Sequence, residues 1–431
     1  MKAKQMQHQR KALTLAIASA LGAAPGLAGA AGFALLEQNA SGLGNAYAGS
    51  AAVAEDASTI FYNPAGMTLL PGAQVVGSVT GIYLDTSFSG SGSTNVPPLN
   101  VGNGQGGQPG GWGMVPSMYF ALPIGERFAA GLGVGAPFGL RTHYNDDWLG
   151  RYQGVKSDLY TINVNPSIAY KVTDTISIGG GVNYQNMNVE LTSSSFSGLA
   201  GETRQKLNAE DDAWGWNLGA LFQLGDDMRV GLSYRSSIRY TLEGDVKTTT
   251  STGASSRFDV KADAELPDSA ILSVTQMYGD KWQLLGDVQY TNWSTIGSVD
   301  VINKANGVTV DRLAFDFKDT WRIAFGVNYF KDEHWTIKGG IAYDESPVDA
   351  DTRTVRLPDN DRYWLSFGVK YKFAKAAAVD VGYSHLFVPD ANIDHTRALS
   401  AVPPGSAVNT NVNGQYDSSV DIVGVQLTWT F

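Results

Sequence analysis

Arg362-Tyr363-Trp364-Leu365-Ser366-Phe367-Gly368-Val369-Lys370-Tyr371-Lys372-Phe373 decides the fold of this chain. Successive side chains of an extended strand point to opposite sides. Tyr363, Leu365, Phe367, Val369, Tyr371 and Phe373 therefore share one face, and Arg362, Trp364, Ser366, Gly368, Lys370 and Lys372 the other. The first face suits hydrocarbon and the second a polar interior. The same period of two runs through Tyr160, Ile162, Val164, Ile168 and Tyr170, and through Trp214, Trp216, Leu218, Ala220, Phe222 and Leu224. It returns in Val230, Leu232, Tyr234, Ile238 and Tyr240, in Trp321, Ile323, Phe325, Val327 and Tyr329, and in Val423, Val425, Leu427, Trp429 and Phe431. Aromatic residues gather near the strand ends, as girdles at two membrane interfaces require.

Working outward from that strand, alternating segments begin near Ala73, Trp112, Arg127, Lys156, Thr175, Asp212, Met228, Phe258, Lys281, Leu313, His334, Arg362, Val379 and Tyr416. That is roughly fourteen strands, an even number as bacterial single-chain barrels have. Short polar turns fall at Ile124–Glu126, Val172–Asp174, Gly225–Asp227, Gly279–Asp280, Lys331–Glu333 and Ala374–Ala377. Longer connections alternate with them at Ser87–Gly111, Gly139–Val155, Thr192–Asp211, Gly244–Arg257, Gly297–Arg312, Ser346–Asn360 and Pro389–Gln415. A barrel with short periplasmic turns and long outer loops predicts this asymmetry, and a soluble β-sandwich does not.

At the amino end, Lys2, Lys4, Arg10 and Lys11 precede an apolar run from Ala12 to Leu21, and Ala28-Gly29-Ala30 supplies small residues for cleavage. This reads as a secretory signal peptide over residues 1–30, too short to be a spanning helix, which needs roughly 20 apolar residues. Later segments never match a spanning helix, and mean hydropathy is −0.13. In hydrocarbon only helices and closed barrels satisfy the backbone, so strands must do the crossing. The chain has no cysteine, which excludes disulfides, thiolate nucleophiles and cysteine-ligated metals. Its net charge of −10 offers no basic face to nucleic acid. The expected fold is all-β: a transmembrane antiparallel β-barrel over residues 72–431 with an N-terminal plug over residues 31–71.

The plug is read from composition. Gly42, Gly44, Ala46, Ala48, Gly49, Ala51, Ala52 and Ala54 crowd a segment with little period-two pattern, too apolar for a solvated tail. Folding into the lumen as a hatch is one reading; a disordered periplasmic extension is the other.

Here the chain resembles the FadL family of outer-membrane channels for long-chain fatty acids and other hydrophobic compounds. The matching residues are Ala31-Gly32-Phe33, Ser41-Gly42-Leu43-Gly44, Ala46-Tyr47 and Asn63-Pro64-Ala65. A second block runs from Phe317-Lys318-Asp319 through Arg322, Asp344, Ser346-Pro347-Val348, Pro358-Asp359, Asp361-Arg362 and Trp364 to Val379-Asp380-Val381-Gly382. The resemblance implies a fourteen-stranded barrel, a hatch bearing Asn-Pro-Ala, an apolar lumen site and sideways release through a kinked strand. Gly131, Gly133, Gly135, Ala136, Pro137, Phe138 and Gly139 stand at the matching strand, and glycine and proline there mark a bend or a break in pairing. A strand simply ending at Pro137 is the alternative. Leu140, Trp148, Leu149 and Tyr152 in the next outer loop suit either a capture surface or packing within the loop. Inward parity falls to Asp287, Arg322, Asp344, Arg362 and Lys370, as hatch braces, lumen solvation or ligand contacts.

The resemblance further implies an Arg after the fifth strand and a Lys before Phe-Lys-Asp as partners for a carboxylate. This chain has Thr192-Ser193-Ser194-Ser195 at the first place and Leu313, beside Arg312, at the second. Either Arg312 or another lumen residue takes the head group, or the cargo is a neutral, for example aromatic, hydrocarbon. The expected ligand is a long-chain fatty acid or another hydrophobic small molecule. Outer-membrane lipid and lipopolysaccharide surround the barrel, which is expected to act as a monomer without cofactor or metal. A hydrolase is the rival of another class, but there is no Gly-x-Ser-x-Gly motif, and His143, His334, His385 and His395 show no partner pattern. A general porin would have no use for the segment from Ala31 to Pro71.

Overall fold

The computed structural model describes residues 32–95, 100–196, 201–399 and 408–431; the expected signal peptide lies outside them. The strands form one antiparallel sheet of nineteen segments. In chain order they are β1 (Gln74–Thr94), β2 (Gly111–Ile124), β3 (Phe128–Gly135), β4 (Gly139–His143), β5 (Lys156–Lys171), β6 (Ile176–Phe196), β7 (Glu202–Leu224), β8 (Met228–Arg235), β9 (Ile238–Thr250) and β10 (Ser255–Leu266). There follow β11 (Ser269–Tyr278), β12 (Trp282–Thr291), β13 (Ser298–Asn303), β14 (Thr309–Ala314), β15 (Thr320–Phe330), β16 (Trp335–Asp344), β17 (Arg362–Ala374), β18 (Ala377–Leu399) and β19 (Val408–Thr430). The pairs β3/β4, β8/β9, β10/β11, β12/β13 and β14/β15 are each one interrupted span, which gives a closed barrel of fourteen. Closure comes from β1, which pairs with β2 on one side and with β19 on the other, Gln74 opposite Thr430 and Thr94 opposite Thr410. The Phe431 N–H donates to the Ala73 carbonyl at 2.9 Å, fastening the last residue to the start of the first strand.

The predicted outward set faces lipid: Ile168, Leu218, Phe325, Ile341, Phe367 and Val425 are apolar and exposed. Beside the short turns, rings pair as Phe128 with Tyr170, Trp282 with Tyr329 and Trp335 with Tyr371, at centroid distances of 4.7, 4.5 and 4.3 Å. At the other rim Tyr184 meets Trp214 and Tyr290 meets Trp321, both at 5.0 Å. These are the two girdles.

Two expectations are corrected. Most of the connections expected at Thr192–Asp211, Gly244–Arg257 and Pro389–Gln415 are strand: β6 and β7 stay in register from Ile176 opposite Phe222 to Phe196 opposite Glu202. Beyond the outer girdle both faces of a strand meet water or other loops, so the apolar alternation lapses while the ladder continues. Ile238 and Tyr240 do not continue the outward face of Val230, Leu232 and Tyr234. The span breaks after Arg235, and both residues turn inward and are buried.

The segment ahead of β1 fills the lumen as short helical turns, at Leu43–Asn45, Ser50–Val53, Thr59–Tyr62 and Pro64–Leu69. At its closest approaches to the wall, the wall is glycine. Gly326, Gly340, Gly368, Gly382 and Gly424 back onto the hatch between Ala40 and Ala48, while Gly179, Gly219 and Gly231 back onto Ala51, Asn63, Pro64 and Ala65. A Cβ on Gly368 would stand 2.6 Å from the Gly44 Cα, well inside contact distance. The hatch is thus seated backbone to backbone.

Candidate functional site

The third span is broken. β3 ends at Gly135 and β4 begins at Gly139, so Ala136, Pro137 and Phe138 lie outside the ladder. β2 pairs with β3 only as far as Met118 opposite Val134, and among the described residues no strand pairs with β4 except β5. A window is therefore left between β2 above Met118 and the chain from Gly135 to His143. Its outer end is closed by the His143 N–H, which donates to the Pro109 carbonyl at 2.8 Å.

The hatch fills the window from inside. The Leu35 N–H donates to the Pro137 carbonyl, and the Gly139 N–H to the Phe33 carbonyl, both at 2.8 Å; Ala34 and Phe138 form the bridge between them. Fully buried Gln38 then stands in for the missing ladder. Its side-chain amide donates to the Ala136 carbonyl at 2.8 Å, and its Oε1 accepts from the Ala136 N–H at 3.1 Å. Its own carbonyl accepts from Ser117 Oγ at 2.6 Å and Tyr119 OH at 3.0 Å, on the opposite bank. Buried backbone groups need partners: the glutamine amide supplies them to Ala136, and on the opposite bank two β2 hydroxyls supply them to the Gln38 carbonyl.

Behind the window lies an apolar cluster, called the chamber below, whose space its own side chains fill. Phe33 sits among Trp293, Phe138 and Phe317, with ring centroids 5.0, 6.0 and 6.5 Å away. Met187, Ile238, Tyr240 and Leu242 extend the cluster along the wall, which explains why the inward turn of β9 matters. Phe33 and Phe138, taken from the hatch and the break, meet in one place.

Polar contacts hold the rest of the hatch. Asn63 Oδ1 accepts from the Ala65 N–H at 3.1 Å, and its Nδ2 donates to the carbonyls of Ala51, Ala220 and Leu232 at 2.7, 3.0 and 3.3 Å. Pro64, which has no N–H, takes the first helical position, where none is needed. Arg322 donates to the Ala46 carbonyl at 2.6 Å, 3.7 Å from Asp287, and its guanidinium lies 5.2 Å from the Trp364 ring centre. Asp344 faces Arg322 on one neighbouring strand and Arg362 on the other. Arg362 pairs with Asp359, which in turn accepts from the Gly32 N–H at 2.8 Å.

No motif in the sequence marks the firmest anchor. Glu55 of the hatch takes Lys338 at 2.8 Å and Lys370 at 2.9 Å, and Lys338 also reaches Asp380 at 3.1 Å and the Ser41 carbonyl at 2.8 Å. Burial works to raise the Glu55 carboxyl, but Lys338 and then Lys370 outweigh it and bring its pKa down to about 2. Lys338 has the inward parity of β16, which its sequence position makes readable. Gln38, Trp293 and Glu55 carry no local signature.

Of the two readings of the outer loop, the burial of Trp148, Leu149 and Tyr152 fits packing within the loop. Trp148 stacks on Tyr144 at 3.8 Å and its Nε1 donates to the Gly154 carbonyl at 2.8 Å, because a loop over an apolar mouth must build its own core. Leu140 packs against the chamber cluster instead. Arg312 is no lumen charge: it lies on the β13–β14 hairpin beyond the Tyr290–Trp321 girdle, exposed, with its Nε 2.5 Å from Asp300.

A family profile described as outer membrane protein transport protein (OMPP1/FadL/TodX) matches residues 21–431. The chain is 32% identical over 419 residues to the long-chain fatty acid transport protein of Escherichia coli K12, covering 86% of this chain and 92% of that one. It is 30% identical over 462 residues to outer membrane protein P1 of Haemophilus influenzae, covering 96% and 98%. In fold it is similar to a Pseudomonas aeruginosa FadL homologue, with a TM-score of 0.86 and 24% identity over 93% of this chain and all of that one. The toluene transporter TodX of P. putida gives a TM-score of 0.64 at 15% identity, over 87% and 94%.

Proposed function

The chain belongs to the OMPP1/FadL/TodX family of outer-membrane transport proteins, and from that premise we propose that it carries long-chain fatty acids or similar hydrophobic molecules passively across the outer membrane. A ligand enters from outside, occupies the chamber around Phe33, and leaves sideways into the bilayer through the window between β2 and β4. The carrying observation is the break at Ala136–Phe138, sealed by hatch residues and not by a neighbouring strand. Moving the Phe33–Gln38 segment would vacate the chamber and open the window in one motion. Hydrocarbon outside the window favours release of an apolar cargo without any energy source. In this reading the barrel works as a monomer among lipid and lipopolysaccharide, as a channel and not an enzyme.

A second reading, transport of neutral aromatic hydrocarbons, is favoured by the aromatic lining of the chamber and by the polar or apolar residues at Thr192–Ser195 and Leu313. Uptake of labelled oleate and labelled toluene by cells carrying or lacking the protein separates the two. Equal rates for both compounds in the two strains would sink the transport reading altogether.

A further inference from the structure

The hatch carries three carboxyl groups, and they are not equally supported. Glu55 holds Lys338 and Lys370, and Asp56 accepts from the Ser58 N–H at 2.9 Å, from Ser58 Oγ at 2.6 Å and from Gln426 Nε2 at 2.7 Å. Glu37 has neither kind of support. It is 1% exposed, and among the described residues neither of its oxygens has a hydrogen-bond partner.

The groups that face Glu37 are committed elsewhere. From the wall these are Arg362 of β17, Asp344 of β16 and Arg322 of β15; from the hatch they are Tyr47 and Tyr62. Arg322 donates to the Ala46 carbonyl with Asp287 beside it, and Arg362 pairs with Asp359. Tyr47 donates to the Asn39 carbonyl at 2.8 Å and Tyr62 to the Leu36 carbonyl at 2.7 Å. Four carboxyls, Glu37, Asp287, Asp344 and Asp359, thus share two guanidiniums. A carboxylate is costly to bury without hydrogen bonds, and taking up a proton removes that cost. Burial carries the Glu37 carboxyl from its ordinary 4.5 up to about 7, against the pull of its own backbone N–H and of the two arginines.

Position gives that proton a consequence. Glu37 immediately precedes Gln38, whose amide closes the break at Ala136. Once ionised, Glu37 gains from any movement that brings water to its oxygens, and the same movement withdraws Gln38.

We propose that Glu37 is a proton-operated latch on the window: protonated, it lets the Phe33–Gln38 strip stay buried against the wall, and ionised, it draws that strip off the break toward water. The latch rests on the transport reading, in which that strip moves, and adds control of the opening by external pH. The sealed state holds the proton more tightly than the open one, so sealing by Glu37 is complete below about pH 4.5 and is lost as pH rises through about 7.

The test is labelling of Ala136→Cys by a maleimide in whole cells without added cargo, in a chain that has no other cysteine. Each rate is divided by that of Ser251→Cys on the exposed β9–β10 turn, which carries only the reagent's own pH dependence. From about pH 5.5 to about pH 8.5 the normalised rate should rise about thirtyfold with Glu37 intact, as a displacement from 4.5 to about 7 requires. Glu37→Gln, always neutral, should label slowly with a flat profile, and Glu37→Asp should keep the rise. A flat profile with Glu37 intact overturns the latch, and so does an equal rise in Glu37→Gln. If Glu37→Gln does not assemble, the profile with Glu37 intact decides alone. Oleate uptake at a single pH is measured separately: uptake that persists beside a flat profile leaves the transport reading standing without the latch, and absent uptake removes that reading whatever the labelling shows.

Discussion

Gln38→Met removes the side-chain amide that bridges the break and keeps nearly the same length and apolar stem. The Ala136 N–H and carbonyl lose their partners at 3.1 and 2.8 Å. An unpaired buried polar group costs about 1–3 kcal/mol, so two cost at least ~2 kcal/mol in the sealed state. Once the hatch withdraws, water or lipid headgroups reach these atoms and the cost disappears. At about 1.4 kcal/mol per tenfold, the open population rises about thirtyfold. The opposite bank does not compensate, because Ser117 and Tyr119 of β2 bind the Gln38 carbonyl, which the substitution leaves in place. The assay is modification of a lone cysteine, Ala136→Cys, by a thiol reagent in whole cells, with Gln38 intact or combined with Gln38→Met. A rise of about thirtyfold in labelling rate, with an unchanged heat-modifiable shift of the barrel on gels, fits the mechanism. Equal labelling rates in the two backgrounds would refute the idea that Gln38 seals the window.

Three further outcomes are expected. Gly368→Val places a Cβ only 2.6 Å from the Gly44 Cα, so the hatch should be displaced while the barrel still forms, read as raised ion conductance in planar bilayers with normal gel mobility. Lys338→Met leaves Asp380 and Glu55 to share Lys370 alone and should destabilise the hatch by about 3–5 kcal/mol, read as a lowered denaturant midpoint for protease protection of the hatch. The Glu55 carboxyl is held at about 2 against an ordinary 4.5, so its contribution is complete above about pH 4.5 and is lost as pH falls from there toward 2. Protection of the hatch should decline over that interval, and Glu55→Gln should be weaker throughout but flat; a wild-type profile as flat as that of the variant would discard the anchor.

The barrel is legible because lipid imposes a strict rule on every second residue, as in Tyr363 to Phe373, and because short turns must alternate with long excursions. The rule lapses where lipid ends, which is why the outer halves of β7 and β19 resemble loop in the stretches after Thr192 and Pro389. The broken span is legible in Pro137 and its glycines. What seals it is not, since Gln38 is an ordinary polar residue whose partners at the window lie 79 to 98 positions away. The same distance in sequence hides Glu55, whose lysines are 283 and 315 positions on. Trp148 and Tyr152 mislead for the opposite reason: composition cannot separate an apolar residue that awaits a ligand from one that packs under its own loop.

The bare belt of the wall also bears on how such a protein can change over generations. Gly340, Gly368 and Gly382 cannot gain a side chain while Leu43, Gly44 and Asn45 remain where they are, and those hatch residues cannot shift while the wall stays bare. Each set is the template of the other. A substitution on either side has to be met by one on the other, so plug and belt can change only together.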